Sequence, residues 1–279
     1  MQNFSVLMSI YKNTKLDELV ECLDSIFNQS VKSDDIVIVF DGPVPNEVEA
    51  YLDELATEHA ELNLVKCEVN RGLGPALATG MEACKNELIA RMDTDDIAVP
   101  NRFELQLNAF EEDPDLDICG GQIAEFETTP DDIIGERRVP LTHDEIVEYQ
   151  KKRCAFNHMT VMYKKSKVLE AGNYKHCPLM EDDLLWVDMI LAGAKCVNLD
   201  EYLCKVRTNR DMIARRGGLK YYKKYKAARK RILDTGFITK KQYRKTNRIQ
   251  LIVCMMPKWL RKKVFFGLLH KKTTKTEKT

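Results

Sequence analysis

Two groups of acidic residues have types and spacings that could carry chemistry. Asp93-Thr-Asp95-Asp96 directly follows the apolar run Leu88-Ile-Ala-Arg-Met92, and Glu181-Asp182-Asp183 opens the periodic segment through Ala192. Carboxylates gathered at one strand end repel one another unless a cation neutralises them. A hard ion, Mg²⁺ or Mn²⁺, held by one or two carboxylates and completed by phosphate oxygens suits such a cluster. The second group offers a proton acceptor, which metal-assisted group transfer needs apart from the metal. Acids in the first turn of a helix are also favoured by the helix dipole alone. Asp-x-Asp occurs three times, at 93/95, 113/115 and 115/117. Only the first follows a strand; the others lie in a Pro-containing loop.

These acids need a scaffold, and the hydrophobic pattern supplies one. Phe4–Ile10, Asp35–Asp41, Leu62–Val69 and Leu88–Met92 read as strands, and 16–27, Glu47–Glu58, Gly74–Cys84 and Asn101–Glu111 as helices between them. Strands alternating with helices predict βαβ crossovers and a parallel sheet, and continuous apolar strands predict one covered on both faces. Beyond residue 115 the rhythm changes. Leu116–Phe126 reads as a strand, 128–140 as a loop, and Thr142–Lys151 as a helix with a Thr142/Glu145 capping box. Thr160–Tyr163 is a further strand, Ser166–Ala171 and Asp182–Ala192 are helices, and Cys196–Leu199 and Tyr202–Val206 are closing strands. Ligands of open α/β sheets sit beyond the carboxyl ends of the strands. There this chain places Ser9 and Tyr11, then Asp41, then Asn70 and Arg71, then Asp93, Asp95 and Asp96. Turns are commonly polar, but four successive strand ends offering groups to one crevice point to a ligand.

Val6-Leu-Met-Ser-Ile-Tyr-Lys-Asn13, Ile38-Val-Phe-Asp-Gly42, Asn70-Arg-Gly-Leu-Gly-Pro-Ala76, Ala90-Arg-Met-Asp-Thr-Asp-Asp96, Pro100-Asn-Arg-Phe103 and Glu181-Asp182 follow in the order and spacing of family 2 glycosyltransferases. The resemblance covers about residues 4–204. It is nearest to the non-processive enzymes of bacterial capsule, exopolysaccharide and lipopolysaccharide assembly, the AmsE-like group, which the tract 206–218 also resembles. It implies a GT-A fold, a nucleotide-sugar donor, a divalent metal and inversion at the anomeric carbon. By that resemblance Ser9 and Tyr11 line the nucleobase pocket, Asp41 pairs with uracil or ribose, and Arg71 contacts the base or phosphate side. Asp93 is the ribose- or metal-side carboxylate, Asp95 the metal ligand on the diphosphate, and Asp182 the general base. The family's usual Pro-x-Tyr-Asn is Ser9-Ile-Tyr-Lys here, and the Gln-x-x-Arg-Trp tract of processive synthases is absent. Glu181, His158 and Trp186 are candidates to touch sugar or acceptor, and Arg215 or Arg216 to face the diphosphate. A packed core accounts equally for His158 and Trp186, and an ordinary basic face for the two arginines.

Across 279 residues the formal charge is zero, but it is unevenly spread. Residues 205–279 hold 25 Lys and Arg against three acids, and the first 204 hold 18 basic and 40 acidic side chains. The chain therefore divides into an α/β domain, 1–204, and a basic helical extension, 205–279. Such polarity points to a polyanion partner for the basic part. Aromatic residues and cations interleave at 220–231 and 249–270. Nucleic acid would engage them by phosphate contact and stacking, an anionic membrane surface by charge and apolar burial, and a solvated helix packed on the domain would need neither. If the acidic domain builds glycans on a lipid carrier, the membrane is the partner and no nucleic acid is expected. Nine cysteines in no Cys-x-x-Cys pair predict reduced, buried thiols. No apolar run is long enough to span a bilayer and the N-terminus reads as a strand, so the expected location is cytoplasmic, peripheral on the inner membrane face.

The reading is an inverting, metal-dependent glycosyltransferase that adds one sugar, from UDP by resemblance, to a lipid-linked saccharide. A sugar-phosphate nucleotidyltransferase would want a glycine-rich loop after the first strand, and Tyr11-Lys-Asn-Thr14 has no glycine. The rival of another class is a nucleic-acid- or membrane-binding protein on a catalytically inactive GT-A scaffold.

Overall fold

Asp35-Ile-Val-Ile-Val-Phe40 is buried along its whole length, as a central strand covered on both faces must be. The computed structural model describes residues 2–208 and 217–264. The first half runs β1 (Phe4–Ile10), α1 (Leu16–Phe27), β2 (Asp35–Phe40), α2 (Asn46–Glu58), β3 (Leu62–Lys66), α3 (Leu73–Ala83), β4 (Leu88–Arg91), β5 (Ile97–Ala98) and α4 (Arg102–Glu112). Then follow β6 (Leu116–Phe126), β7 (Ile133–Arg137), α5 (His143–Gln150), a 3₁₀ turn (His158–Thr160), β8 (Met162–Lys164), α6 (Lys165–Glu170), α7 (Glu181–Leu191) and β9 (Lys195–Arg207). The basic part forms α8 (Gly218–Asp234), α9 (Lys240–Met255) and α10 (Lys258–Val264).

The strand order is β3-β2-β1-β4-β8-β6-β9-β5, with β7 beside β6. β3, β2, β1 and β4 are mutually parallel. β8 is antiparallel to both β4 and β6, while β6 and β9 run parallel. Alternation along β1 and β2 divides the core. Phe4, Val6, Met8 and Ile10 face α1, α2 and α4 with Ile36, Ile38 and Phe40, whereas Leu7, Val37 and Val39 face α3 and α7. Ile10 pairs with Phe40, so β1 and β2 end level and open the crevice together.

Several readings change. The loop expected at 128–140 contains β7, whose Ile133–Arg137 pairs antiparallel with β6. A five-residue edge strand between polar turns carries too little pattern to be recognised locally. The two closing strands are one, β9, because register shifts against β6 carry the ladder past the polar stretch Asn198–Glu201. β9 then continues to Arg207, beyond the charge boundary. The third strand stops at Lys66 rather than Val69, and His158–Thr160 turns as 3₁₀ before β8.

All nine cysteines are free. α8 is not splayed from the domain: Ala228 and Ile232 pack with Leu184 and Val187 of α7 and with Ile238 ahead of α9. α9 begins with a capping box in which the Thr239 hydroxyl accepts the Gln242 backbone N–H, 3.2 Å. No helix of the described residues is long and apolar enough to cross a membrane.

Candidate active site

One end of the crevice is built around Asp41, just past β2. Its carboxylate accepts the backbone N–H groups of Arg71 (2.7 Å) and Gly72 (2.9 Å), and its carbonyl accepts Asn70 Nδ2 at 2.9 Å. The side chain is 5% exposed, so these charge-assisted bonds satisfy a carboxylate taken out of bulk water. Gly42 has φ +76°, and a Cβ there would lie 2.5 Å from the Asn70 nitrogen. Only glycine permits both that backbone conformation and that approach. Beside it, Ser9 is half-buried and Tyr11 is exposed on a turn closed by its backbone N–H to Thr14 Oγ1, 3.0 Å. Arg71 is exposed, its Nη2 3.5 Å from Thr79 Oγ1. Asp41 thus shapes the loop that presents Arg71.

At the end of β4 the acids lie at three depths. Asp96 is buried and accepts the backbone N–H of Arg207 at 2.9 Å, tying the end of β9 to this turn. Burial, then the charges of Asp95 and Asp93, push its carboxyl well above the ordinary range. Asp93 is partly exposed, and its Oδ1 accepts Arg91 Nη2. Asp95 is surface-exposed at the rim; the protein crowded around it and the charge of Asp93 push its carboxyl up to about 6. Among the described residues no set of three His, Cys, Asp or Glu side chains converges as a closed metal cage. Asp93 and Asp95 fit an open site instead. Their mutual repulsion would be relieved by a divalent cation whose other ligands come from substrate and water.

The second acidic group approaches the crevice through a close helix contact. A Cβ on Gly74, in the first turn of α3, would sit 2.7 Å from the Lys175 carbonyl and 3.2 Å from Glu181 Cβ. Glycine therefore lets the start of α3, just past the Asn70–Gly72 turn that Asp41 holds, reach the start of α7. Partial burial and the Asp182 charge push Glu181 up to about 7, and burial raises Asp182 above its usual value. The charge of the fully buried Arg91 acts on both, and also on Asp93 and Asp95. One interior guanidinium thus lies within electrostatic reach of both acidic groups. Its Nε and Nη1 make no hydrogen bond.

The structure brings Asp41, Arg71, Asp93, Asp95, Glu181 and Asp182 to the same end of the sheet, with Ser9 and Tyr11 at the end of β1. It does not bring His158 or Trp186 there. Trp186 is 0% exposed, packed among Phe156, Tyr163 and His158, and His158 is buried with Nε2 2.9 Å from the Tyr174 hydroxyl. Burial, then Arg91, holds that imidazole well below its usual range, so it stays neutral. Both are buried in the core instead of lining the crevice. Arg215 and Arg216 lie outside the described residues. Sequence reasoning missed Arg91 and Arg102. Arg91 carried a signal, a charge inside the apolar run of β4. Arg102, also fully buried, donates from Nη2 to the Arg91 carbonyl at 2.7 Å and so braces the strand end from the Pro100–Phe103 tract.

The model of glycosyl transferase family 2 matches residues 5–169. The chain is 40% identical to the amylovoran biosynthesis glycosyltransferase AmsE of Erwinia amylovora, over 79% of this chain and 82% of that one. It is 35% identical to the UDP-Gal:alpha-D-GlcNAc-diphosphoundecaprenol beta-1,3-galactosyltransferase of Escherichia coli, over 78% of each. Among solved structures, S. aureus TarS 1–349 in complex with UDP-GlcNAc superposes with a TM-score of 0.61 at 13% identity, covering 93% of this chain and 69% of that one.

Proposed function

The chain belongs to glycosyl transferase family 2 and has a GT-A fold, and on that premise we propose that it moves one sugar from a UDP-sugar to a hydroxyl of a lipid-linked saccharide, with inversion, in bacterial surface polysaccharide biosynthesis. The observation that carries the reading is the placing of two acidic groups at the carboxyl end of the sheet, Asp93/Asp95 after β4 and Glu181/Asp182 at the start of α7, both within electrostatic reach of buried Arg91. The names of two relatives, an amylovoran enzyme and a galactosyltransferase using a diphosphoundecaprenol acceptor, support the polysaccharide and lipid-linked parts.

In this mechanism Ser9, Tyr11 and the Asp41-held loop frame the base and ribose, and Arg71 stands over the phosphate side. Asp95 with Asp93 would hold Mg²⁺ or Mn²⁺, which supplies Lewis-acid neutralisation of charge on the departing diphosphate. Arg91 fixes Asp93 from below. Asp182 accepts the proton of the acceptor hydroxyl as its oxygen attacks the anomeric carbon from the face opposite the leaving group. A raised proton affinity suits it to that role, because a general base works best with a pKa nearer the working pH. Donor site and base belong to residues 1–204.

The extension 205–279 serves, in this reading, to hold the enzyme peripherally on the inner face of the cytoplasmic membrane. On the outer side of α9 and at the start of α10, Ile249, Ile252, Met255 and Trp259 are 53, 61, 59 and 66% exposed. Lys241, Arg244, Lys245 and Arg248 are exposed on the preceding turns of α9. Apolar side chains beside a basic band match an anionic lipid surface, where each Lys or Arg contributes about 1 kcal/mol.

Incubation with UDP-sugars and a polyprenyl-diphosphate-linked saccharide tests the function. Stoichiometric release of UDP with extension of the acceptor by one sugar is expected. Donor turnover indifferent to acceptor, or no transfer with any UDP-sugar, would contradict it.

A further inference from the structure

Asp183, next to the proposed base, is 3% exposed. Gln150, the last residue of α5, donates from Nε2 to Asp183 Oδ1 at 2.5 Å and, through its Oε1, accepts the Ala155 backbone N–H at 2.8 Å. The following carbonyl, that of Lys151, accepts Nη2 of Arg229 at 2.7 Å. Arg229 comes from α8, in the basic extension, and is 0% exposed. Its neighbour Ala228 packs with Leu184, the residue after Asp183. One guanidinium of the extension is therefore buried behind the first turn of the helix that carries Asp182.

A buried cation costs several kcal/mol unless compensating charge is close. Arg229 donates from Nη2 to that carbonyl, and its Nε and Nη1 have no hydrogen-bond partner among the described residues. The compensating charge is the acidic turn of α7: Arg229 lies close enough to Asp183 for its charge to oppose the effects of burial and of Asp182 on that carboxyl. Arg137 opposes them too.

We propose that Arg229 is a positioning residue for the transfer reaction: with Gln150 it holds Asp183, and hence the first turn of α7, where Asp182 meets the acceptor. The basic extension then has two separate roles. α9 and α10 present the surface face, and α8 completes the site from behind with a residue beyond the matched family region. The proposal rests on the reading of Asp182 as the base.

The test compares full-length wild type, Arg229→Met, Arg229→Lys, Asp183→Asn and the Arg229→Met/Asp183→Asn double variant for kcat, donor KM and nucleotide affinity. Arg229→Met is expected to lower kcat about tenfold or more with donor KM and nucleotide affinity within about twofold, since a small misplacement of a reacting group costs rate rather than donor binding. Arg229→Lys should recover most of the loss. The double variant should be no worse than the worse single one, because both act through one turn. If Arg229→Met fails to fold, Asp183→Asn alone must show the same split between kcat and KM. Wild-type kcat in Arg229→Met or in Asp183→Asn, additive losses, or a parallel fall of kcat and nucleotide affinity would overturn the proposal. An active Asp182→Asn enzyme would instead remove the base, which is a different result.

Discussion

Gly74 and Glu181 touch, one in the first turn of α3 and the other in the first turn of α7, so closely that a Cβ on Gly74 would stand 3.2 Å from that of Glu181. The same Cβ would meet the Lys175 carbonyl at 2.7 Å, closer than real Cβ atoms come to backbone. Gly74→Ala must therefore displace the Lys175 segment that leads into α7, or the start of α3, and crowd Glu181. We expect kcat to fall roughly 10- to 100-fold, the cost of misplacing a reacting group by a fraction of an ångström to an ångström. Activity assays on folded protein check this; an unchanged kcat would mean that the α3–α7 contact does not position the base.

Asp182→Asn tests the base itself. It removes the proton acceptor and leaves the donor end untouched, so kcat should fall about 10²- to 10⁴-fold with donor affinity nearly intact. Transfer at close to the wild-type rate would take Asp182 out of the mechanism.

Asp41→Asn separates shaping a loop from binding a ligand. The anion that accepts the Arg71 and Gly72 N–H groups becomes a neutral amide, and bonds to charged groups contribute roughly 1.5–3 kcal/mol. Melting temperature should drop and donor affinity weaken by about tenfold or more, with little further loss of kcat at saturating donor. A stable variant with unchanged donor affinity would contradict this account of the loop.

The raised carboxyls set opposite pH trends for activity and stability. Asp182 must be ionised to act and is held above its ordinary value, so kcat should fall already in mildly acidic buffer. Glu181, Asp183, Cys154, Tyr174, Arg91 and Arg137 surround it electrostatically. Glu181 and Asp183 are each pushed up to about 7. Between the unfolded carboxylate range near pH 4 and about pH 7 the folded chain binds protons that the unfolded chain releases. Their contribution to stability therefore declines as pH rises through that window and is flat above it. Melting curves at several pH values should show a shallower decline in Asp183→Asn than in wild type; equal slopes would mean that Asp183 is not protonated in the fold.

The exposed face of α9 and α10 makes a prediction at the membrane. Ile252→Glu with Trp259→Glu places acids among Ile249, Met255 and the basic band. Co-sedimentation with anionic liposomes should drop several-fold while transfer to a short-chain, soluble acceptor persists. Unchanged sedimentation would return this face to ordinary solvent contact.

The sequence carried most of what local pattern can carry. β2 was legible because its β-branched run is unbroken, and α5 because Thr142 and Glu145 form a capping box. The polar residues at strand ends were legible because parallel topology brings those ends together. What escaped depends on tertiary partners. β7 acquires its identity only from β6, and β9 is continuous only because β6 absorbs its irregular middle. Trp186 shares α7 with Glu181 and Asp182, yet it is buried in the core, as is His158 in its own turn. Arg91, Arg102 and Arg229 are buried cations whose meaning comes from acids, carbonyls and helices distant in the chain, and no spacing rule reveals such pairings.

The most direct test of the central claim is calorimetric titration of the wild-type chain and Asp95→Ala with UDP, GDP and dTDP, with and without Mn²⁺. The account predicts Mn²⁺-dependent binding of UDP that is lost in Asp95→Ala, with the other nucleotides much weaker. No binding of any nucleotide, or UDP binding indifferent to Mn²⁺ and to Asp95, would contradict it and leave a GT-A scaffold whose acidic crevice is not a metal-assisted donor site.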